Sequence, residues 1–208
     1  MGRYTEARCR LCRREGEKLF LKGVRCNTPK CAMAKRPAIP GQHMQTRQKL
    51  SNYGVQLRQK QKVKRMYGVL EKQFRRYFEV ASRSKGVTGK VLLQLLERRI
   101  DNVVFRLGLA VSRPQARQIV RHNFVYVNNK RVNIPSFLVG VNDAIQLKPK
   151  DKAKDKLKEN LELSKDRSVP SWLEFVPQEF KARIVRLPEK DDIPATIQEQ
   201  LIVELYSK

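Results

Sequence analysis

Residues 97–148 constrain the fold of this chain most, because their spacing predicts a fixed order of helices and strands. Apolar residues around the start of this stretch recur at intervals of three and four, the period of one buried helix face. They are Leu92, Leu96, Ile100, Val103 and Leu107. A second helix is predicted over about 113–122. Ser112 and Gln115 have the spacing of a capping box at its start, and Pro114 suits a first turn.

The second half of the stretch predicts a small antiparallel sheet. Two short apolar runs flank Asn128-Asn129, and asparagine tolerates the positive φ of a two-residue hairpin turn. In that register Tyr126 and Arg131 share one face. A closing strand is predicted over 144–147. The expected unit is two short helices packed on a small curled sheet.

Cations line one side of this unit. Arg113, Arg117 and Arg121 are four residues apart, so they share one face of the second helix. Lys130 and Arg131 follow on the hairpin. Such a surface predicts binding to a polyanion.

The charge of the whole chain supports that prediction. The formal net charge is +25, and residues 1–100 carry 26 Lys/Arg against 6 Asp/Glu. Residues 18–70 contain 13 basic residues and no acidic one. So long a run of one sign would repel itself without a polyanionic partner, and nucleic acid is the first candidate. An anionic membrane is disfavoured, because no apolar run approaches the roughly 18–20 residues that span a bilayer.

All four cysteines lie near the amino terminus, as two close pairs. Cys9 and Cys12 are separated by two residues, Cys26 and Cys31 by four, and the pairs by thirteen. This spacing allows four thiolates to converge on one ion, and zinc is the usual occupant. A structural zinc site is therefore predicted, with an iron–sulfur cluster as the alternative. Disulfides are disfavoured because the chain shows no export signal, so a reducing compartment is expected.

The segment between the cysteines and residue 97 predicts a loop and then helix. Residues 35–51 have little periodicity, and Pro40-Gly41-Gln42-His43 precedes two candidate contacts, Arg47 and Lys49. Residues 52–84 are predicted to be helical. Five cations in eight residues favour phosphate contact over a merely solvated face: Arg58, Lys60, Lys62, Lys64 and Arg65. Further candidate contacts continue this surface at Arg75, Arg76, Arg83 and Lys85.

The module over 97–148 resembles the RNA-binding module named after small-subunit ribosomal protein four. The resemblance rests on Arg99-Ile100-Asp101-Asn102-Val103-Val104, on Ser112-Arg113-Pro114-Gln115-Ala116-Arg117, and on Val127-Asn128-Asn129-Lys130-Arg131-Val132-Asn133. It extends to most of the chain, because 53–63, 67–75 and the final EQLIVELYSK also look like that ribosomal family in its four-cysteine form. Residues 150–190 match least.

This resemblance implies an α+β fold in three parts. Residues 1–45 would form a zinc-stapled basic segment, and 46–96 a mainly helical rRNA-binding domain completed by 190–208. Residues 97–189 would be an inserted small α/β RNA-binding module with a carboxy-terminal extension. The C-terminal helix would then pack back on the N-terminal domain.

The resemblance also implies a structural, non-enzymatic role in the small ribosomal subunit. Such a protein binds small-subunit rRNA early, nucleates assembly of the subunit body and supports accurate translation. Its partners would be that rRNA, neighbouring small-subunit ribosomal proteins and messenger RNA where it enters the subunit, but no membrane. The expected location is the cytoplasmic ribosome, with an organellar ribosome as the alternative.

Two other functions remain as alternatives. A non-ribosomal RNA-binding assembly factor would share the charge and the module. An RNA-modifying enzyme could carry the same module, and Arg99-Ile100-Asp101 resembles the Arg-Leu-Asp triplet of pseudouridine synthases. The chain lacks G-x-G-x-x-G and P-loop motifs, however, and Asp101 is predicted to be an exposed helix residue.

Overall fold

A computed structural model describes residues 2–41, 49–149, 151–165 and 167–207. The chain divides into two compact units. The first contains Met1–Leu92 and Ala195–Lys208, and the second contains Leu93–Pro194. None of the helices in the described ranges has the length and apolar character needed to cross a bilayer.

The first unit begins with short helical segments around the cysteines. Helix α1 spans Cys9–Glu15, a 3-10 turn spans Gly23–Asn27, and α2 spans Ala32–Lys35. Helix α1 ends at Gly16, whose φ of 73° is left-handed. Glycine adopts this conformation readily because it has no β-carbon. Leu19 and Leu21 are buried beside these turns, so this segment has only a small apolar core.

The helix predicted over 52–84 is two helices. Helix α3 spans Asn52–Met66 and starts at Ser51, whose hydroxyl accepts a hydrogen bond from the Gly54 amide at 3.2 Å. Helix α4 spans Glu71–Arg83. The break falls at Gly68, whose φ of 65° is the left-handed conformation that commonly follows a helix. The aromatic side chains of Phe74 and Tyr77 on α4 are buried in the core of the first unit.

The C-terminal helix α9, Glu199–Tyr206, packs on α3 and α4 within the first unit. The Tyr206 ring stacks on Phe78 with centroids 4.4 Å apart, and Gln56 donates a hydrogen bond to Glu204 at 2.9 Å. Thr196 and Glu199 have the spacing of a capping box in the sequence, but Thr196 does not cap this helix. The helix starts after Gln198 without a side-chain cap, and the Thr196 carbonyl instead accepts a hydrogen bond from Lys62.

The apolar helix face predicted around residue 100 is buried but is divided between two helices. Helix α5 spans Thr88–Glu97 and α6 spans Ile100–Arg106. Arg99 between them is extended, with ψ of 133°. The Ile100 amide donates to the Phe137 carbonyl at 2.9 Å, so a contact with a distant loop replaces the helical bond.

Helix α7, Arg113–Arg121, and the hairpin after it agree with the predictions. The Ser112 hydroxyl caps α7 by accepting from the Gln115 amide at 3.4 Å. Strands β1, Val125–Val127, and β2, Lys130–Arg131, pair with Tyr126 opposite Arg131. Asn128 and Asn129 have φ of 48° and 64°, as a two-residue primed turn requires.

The sheet is larger than predicted. Strand β3, Ala144–Leu147, joins β1, and a second hairpin adds β4, Leu173–Val176, and β5, Lys181–Ile184. The order is β2-β1-β3-β5-β4, and every pairing is antiparallel. Helix α8, Asp151–Glu162, contributes Leu157 to the same core. Trp172 is fully buried there, so it packs as expected for a core residue.

Candidate nucleic-acid interface

The basic run on α3 is engaged by acids of its own unit. Arg58 Nη1 lies 3.3 Å from Glu15 Oε1, and Arg65 Nη1 contacts the same oxygen. The Glu15 side chain is only 1% exposed. Burial raises the pKa of Glu15, and the two arginines act against that rise. These arginines therefore stabilise a buried carboxylate at the end of α1.

The lysines of the run have two further acidic partners. Lys60 and Lys64 donate to the two oxygens of Glu71 at 2.7 and 2.8 Å. Partial burial works against ionisation, but these hydrogen bonds prevail and lower the pKa of Glu71 to about 2. Lys62 is 4% exposed, and its ammonium lies 2.7 Å from Glu17 and 2.7 Å from the Thr196 carbonyl.

The cations of helix α3 thus stabilise the first unit through ion pairs and a hydrogen bond to other elements. The acids lie on α1, on the loop after it and at the start of α4, while Thr196 precedes α9. None of these partners is visible from the local sequence of α3, because each lies at least seven residues away. We therefore assign α3 a structural role beside any contact with nucleic acid.

The second unit has its own buried ion pairs. Asp101 is 5% exposed, and Arg99 donates to both of its oxygens at 3.0 and 2.7 Å. Arg117 Nη1 approaches the same carboxylate to 3.5 Å. The prediction that Asp101 is an exposed helix residue was wrong, because the break before α6 turns its side chain towards two arginines.

A second cluster lies next to this pair. Glu97 is buried and accepts hydrogen bonds from Asn102 at 2.6 Å and from Arg106 at 2.6 Å. Arg113 donates to the Asn102 amide oxygen at 2.9 Å, and its guanidinium lies 4.5 Å from the centre of the Phe105 ring. Arg113 and Arg117 of the predicted arginine face therefore contact the protein, whereas Arg121 is exposed.

The other predicted contacts lie on the surface wherever the structure describes them. Arg75 is 72% exposed and makes only a loose ion pair with Glu79 at 3.4 Å. The remaining predicted residues of the loop, of α4 and the segment directly after it, and of the hairpin are also exposed, namely Lys49, Arg76, Arg83, Lys85, Lys130 and Arg131. Arg47 lies outside the described residues, as does the Gln42-His43 pair. The exposed cations of α4 are the part of the first unit best placed to meet phosphate.

The four cysteines are free thiols within the first unit. Cys12, Cys26 and Cys31 are buried, and Cys9 is partly exposed. Burial raises the pKa of Cys12 and of Cys26, backbone hydrogen bonds lower it, and the neighbouring thiols raise it. One of these bonds runs from the Lys22 amide to Cys26 Sγ at 3.4 Å.

Four thiols are a suitable ligand set for zinc, but their side chains are not arranged as a metal site. Thiolate sulfurs are preferred zinc ligands, and an amide that donates to sulfur stabilises the deprotonated form. Across the described ranges, however, no group of three or more His, Cys, Asp or Glu side chains is arranged to hold a metal ion.

Comparison with known proteins gives two family matches. The model described as ribosomal protein S4/S9 N-terminal domain matches residues 3–97, and the model described as S4 domain matches residues 98–145. The chain is 59% identical over 208 residues to small ribosomal subunit protein uS4 of Acetivibrio thermocellus, covering 100% of both chains. It is 58% identical to the uS4 of Ruminiclostridium cellulolyticum and 60% identical to that of Thermoanaerobacter pseudethanolicus, again over 100% of each chain.

Proposed function

Because the chain belongs to the small ribosomal subunit protein uS4 family, we propose that it is a structural constituent of the small ribosomal subunit and binds its rRNA directly. The observation that carries this proposal is 59% identity spread over all 208 residues, with no part of the chain outside the match. The net charge of +25 supplies the complementarity to RNA. Early binding that nucleates assembly of the subunit body, and support of accurate translation, follow as parts of the same proposal.

The physical mechanism is phosphate neutralisation on a rigid support. Most protein contacts with folded RNA are made to its backbone and read its shape, so exposed cations supply the affinity. In the first unit these are Arg75, Arg76 and Arg83 of α4, together with Lys85 just after it. In the second unit they are Arg121 and the cations of the first hairpin. The internal ion pairs of α3 and α6 hold these surfaces in fixed shapes.

Binding of small-subunit rRNA by the purified full chain tests the proposal. We expect the protein to protect a compact set of nucleotides on that rRNA and to bind large-subunit rRNA much more weakly. It should also stay with sedimenting small subunits in high salt. Equal affinity for both rRNAs, together with release from subunits in high salt, would indicate a transient RNA-binding factor instead.

The four cysteines are proposed to hold one structural zinc ion through their sulfurs. The donor set and spacing support this, together with the amide that donates to Cys26. The ion would cross-link α1 to the turns that follow it, where the apolar core is small. Metal-ligand binding energy would therefore replace hydrophobic burial as the source of stability for this segment.

Removal of the metal tests this assignment. Elemental analysis should find about one zinc per chain. A chelator should make residues 1–40 sensitive to protease while leaving residues 97–148 protected, and Cys26→Ser should mimic the chelator. Protein that contains neither zinc nor iron, yet resists protease over 1–40, would contradict the assignment.

Neighbouring small-subunit ribosomal proteins and messenger RNA are proposed as further partners. Lys49 is exposed in the loop that follows the cysteine segment, which makes it available for a messenger contact. Arg47 is the second residue of this proposal. Crosslinking of short messenger RNA to subunits that carry Lys49→Gln should decrease relative to wild type, because the variant loses the cation proposed to contact the messenger.

A further inference from the structure

The outer face of the five-stranded sheet carries a row of side chains that crosses every strand. The cross-strand pairs place Arg131 beside Tyr126, Tyr126 beside Gln146, and Gln146 beside Lys181. Val176 of β4 lies next to Lys181 and ends the row. Because side chains alternate between the faces of a strand, these residues all lie on the side opposite the core.

A second row runs beside the first. Arg183 of β5 lies between Ala144 of β3 and Glu174 of β4. The buried residues of the same strands point the other way, as shown by the burial of Ile145, Ala182 and Ile184 in the core. The outer face therefore collects cations from β2 and β5, which are about 50 residues apart in sequence.

The face has a clear positive balance among the described residues. Arg131, Lys181 and Arg183 are exposed, and Lys148 extends over the Tyr126 ring with its ammonium 4.9 Å from the ring centre. Two acids lie near them. Glu174 is exposed opposite Arg183, and Glu179 lies 2.6 Å from Lys181.

The pair between Lys181 and Glu179 does not neutralise the surface firmly. Both side chains are more than half exposed, and ion pairs of that kind contribute little stability in water. A phosphate that approaches Lys181 can therefore compete with Glu179. The net charge of the face stays positive when both acids are counted.

The second hairpin is a fixed part of this surface. Trp172 and Leu173 at its start, and Ala182 and Ile184 on β5, are buried in the core of the unit. The Val185 amide also donates to the Trp172 carbonyl at 3.0 Å. The S4 domain match ends at residue 145, so Lys148, Lys181 and Arg183 lie beyond it.

We propose that the outer face of this sheet, extended by the β4–β5 hairpin, is an additional binding surface for the sugar–phosphate backbone of folded rRNA. This inference rests on the proposed function. Charge complementarity selects RNA as the occupant. A protein partner fits less well, because Val176 is the one exposed aliphatic side chain in the two described rows and the half-buried ring of Tyr126 is covered by the Lys148 ammonium. The centres of protein interfaces are depleted in such charged residues.

Paired charge-removing variants of the full chain test the proposal. Lys181→Gln/Arg183→Gln removes two cations from the outer face. Lys156→Gln/Lys158→Gln removes two exposed cations from α8, which packs through Leu157 into the core beneath the other face. Affinity for small-subunit rRNA is measured for each variant over a range of salt concentrations.

We expect the β5 variant to bind more weakly and to flatten the slope of log K against log salt by about 1.4–1.8, the value for two lost phosphate contacts. The α8 variant should match wild type. Both variants should keep the wild-type melting temperature, because the replaced side chains are exposed.

A β5 variant with wild-type affinity and slope would overturn the proposal, and so would an equal loss in the α8 variant, which would show a general charge effect. Wild-type RNA binding combined with loss of a neighbouring protein from reconstituted subunits would also overturn it, in favour of a protein contact. Failure of the proposed function is distinguishable, because wild type itself would then show no preference for small-subunit rRNA.

Discussion

Single carboxylates organise the charge in both units. Glu15, Glu71 and Asp101 each form ion pairs with two cations, and all of these cations except Arg99 are candidate RNA contacts in the sequence. The identity of such cations as basic residues is visible in the sequence. Their assignment to an acid or to RNA depends on tertiary structure, because the partners lie on other elements.

Asp101 tests the buried pair directly. Replacement by Asn leaves the buried Arg99 without its carboxylate, and breaking a buried pair in this way costs about 3–5 kcal/mol. Urea unfolding of Asp101→Asn should show this loss, whereas the exposed α8 variant Asp155→Asn should unfold like wild type. A loss below about 1 kcal/mol would mean that the pair contributes little.

The ion pairs of Glu71 predict that the stability of the fold depends on pH. Its pKa is lowered from 4.5 to about 2, so its ionised form stabilises the fold above pH 4.5 and that contribution disappears as the pH falls towards 2. Glu71→Gln should therefore lower the melting temperature at pH 7, and the difference from wild type should shrink as the pH falls below 4.5.

The matched control is Glu79→Gln, which removes an exposed acid from the same helix. Its melting temperature should stay near wild type throughout. A constant difference between Glu71→Gln and wild type from pH 7 to pH 3 would contradict the ion-pair explanation.

At the scale of elements, the features that depend only on neighbouring residues were predicted correctly from the sequence. The Asn128-Asn129 turn, the Ser112 cap and the buried apolar positions all follow from residue types and spacing over a few positions. The break at Arg99 did not, because a hydrogen bond to Phe137 causes it. The β4–β5 hairpin was not predicted as part of the sheet, since four-residue strands between prolines carry little periodicity.

Helices α3 and α4 are predicted to have different roles. Lys60→Gln/Lys64→Gln removes the partners of Glu71, so it should lower the melting temperature and leave the salt dependence of rRNA binding nearly unchanged. Arg75→Gln/Arg76→Gln removes exposed cations, so it should keep the melting temperature and flatten the salt slope by about 1.4–1.8. The opposite pattern would show that α3 faces RNA and that α4 does not.

On the scale of the whole molecule, charge and family determine what the chain binds, while the fold determines where. The excess of cations in the first hundred residues predicts a polyanion, and full-length identity to uS4 proteins identifies the family. The structure then separates cations that stabilise each unit from those that lie on the surface. Neither composition nor the module pattern could make that separation.

The salt dependence of wild-type binding to small-subunit rRNA tests this central claim most directly. Eight of the predicted contact residues are exposed where the structure describes them. If they neutralise eight phosphates, log K should fall against log salt with a slope of about −6 to −7. A slope near −2 would contradict the account, because it would mean that most of the exposed cations do not meet the RNA.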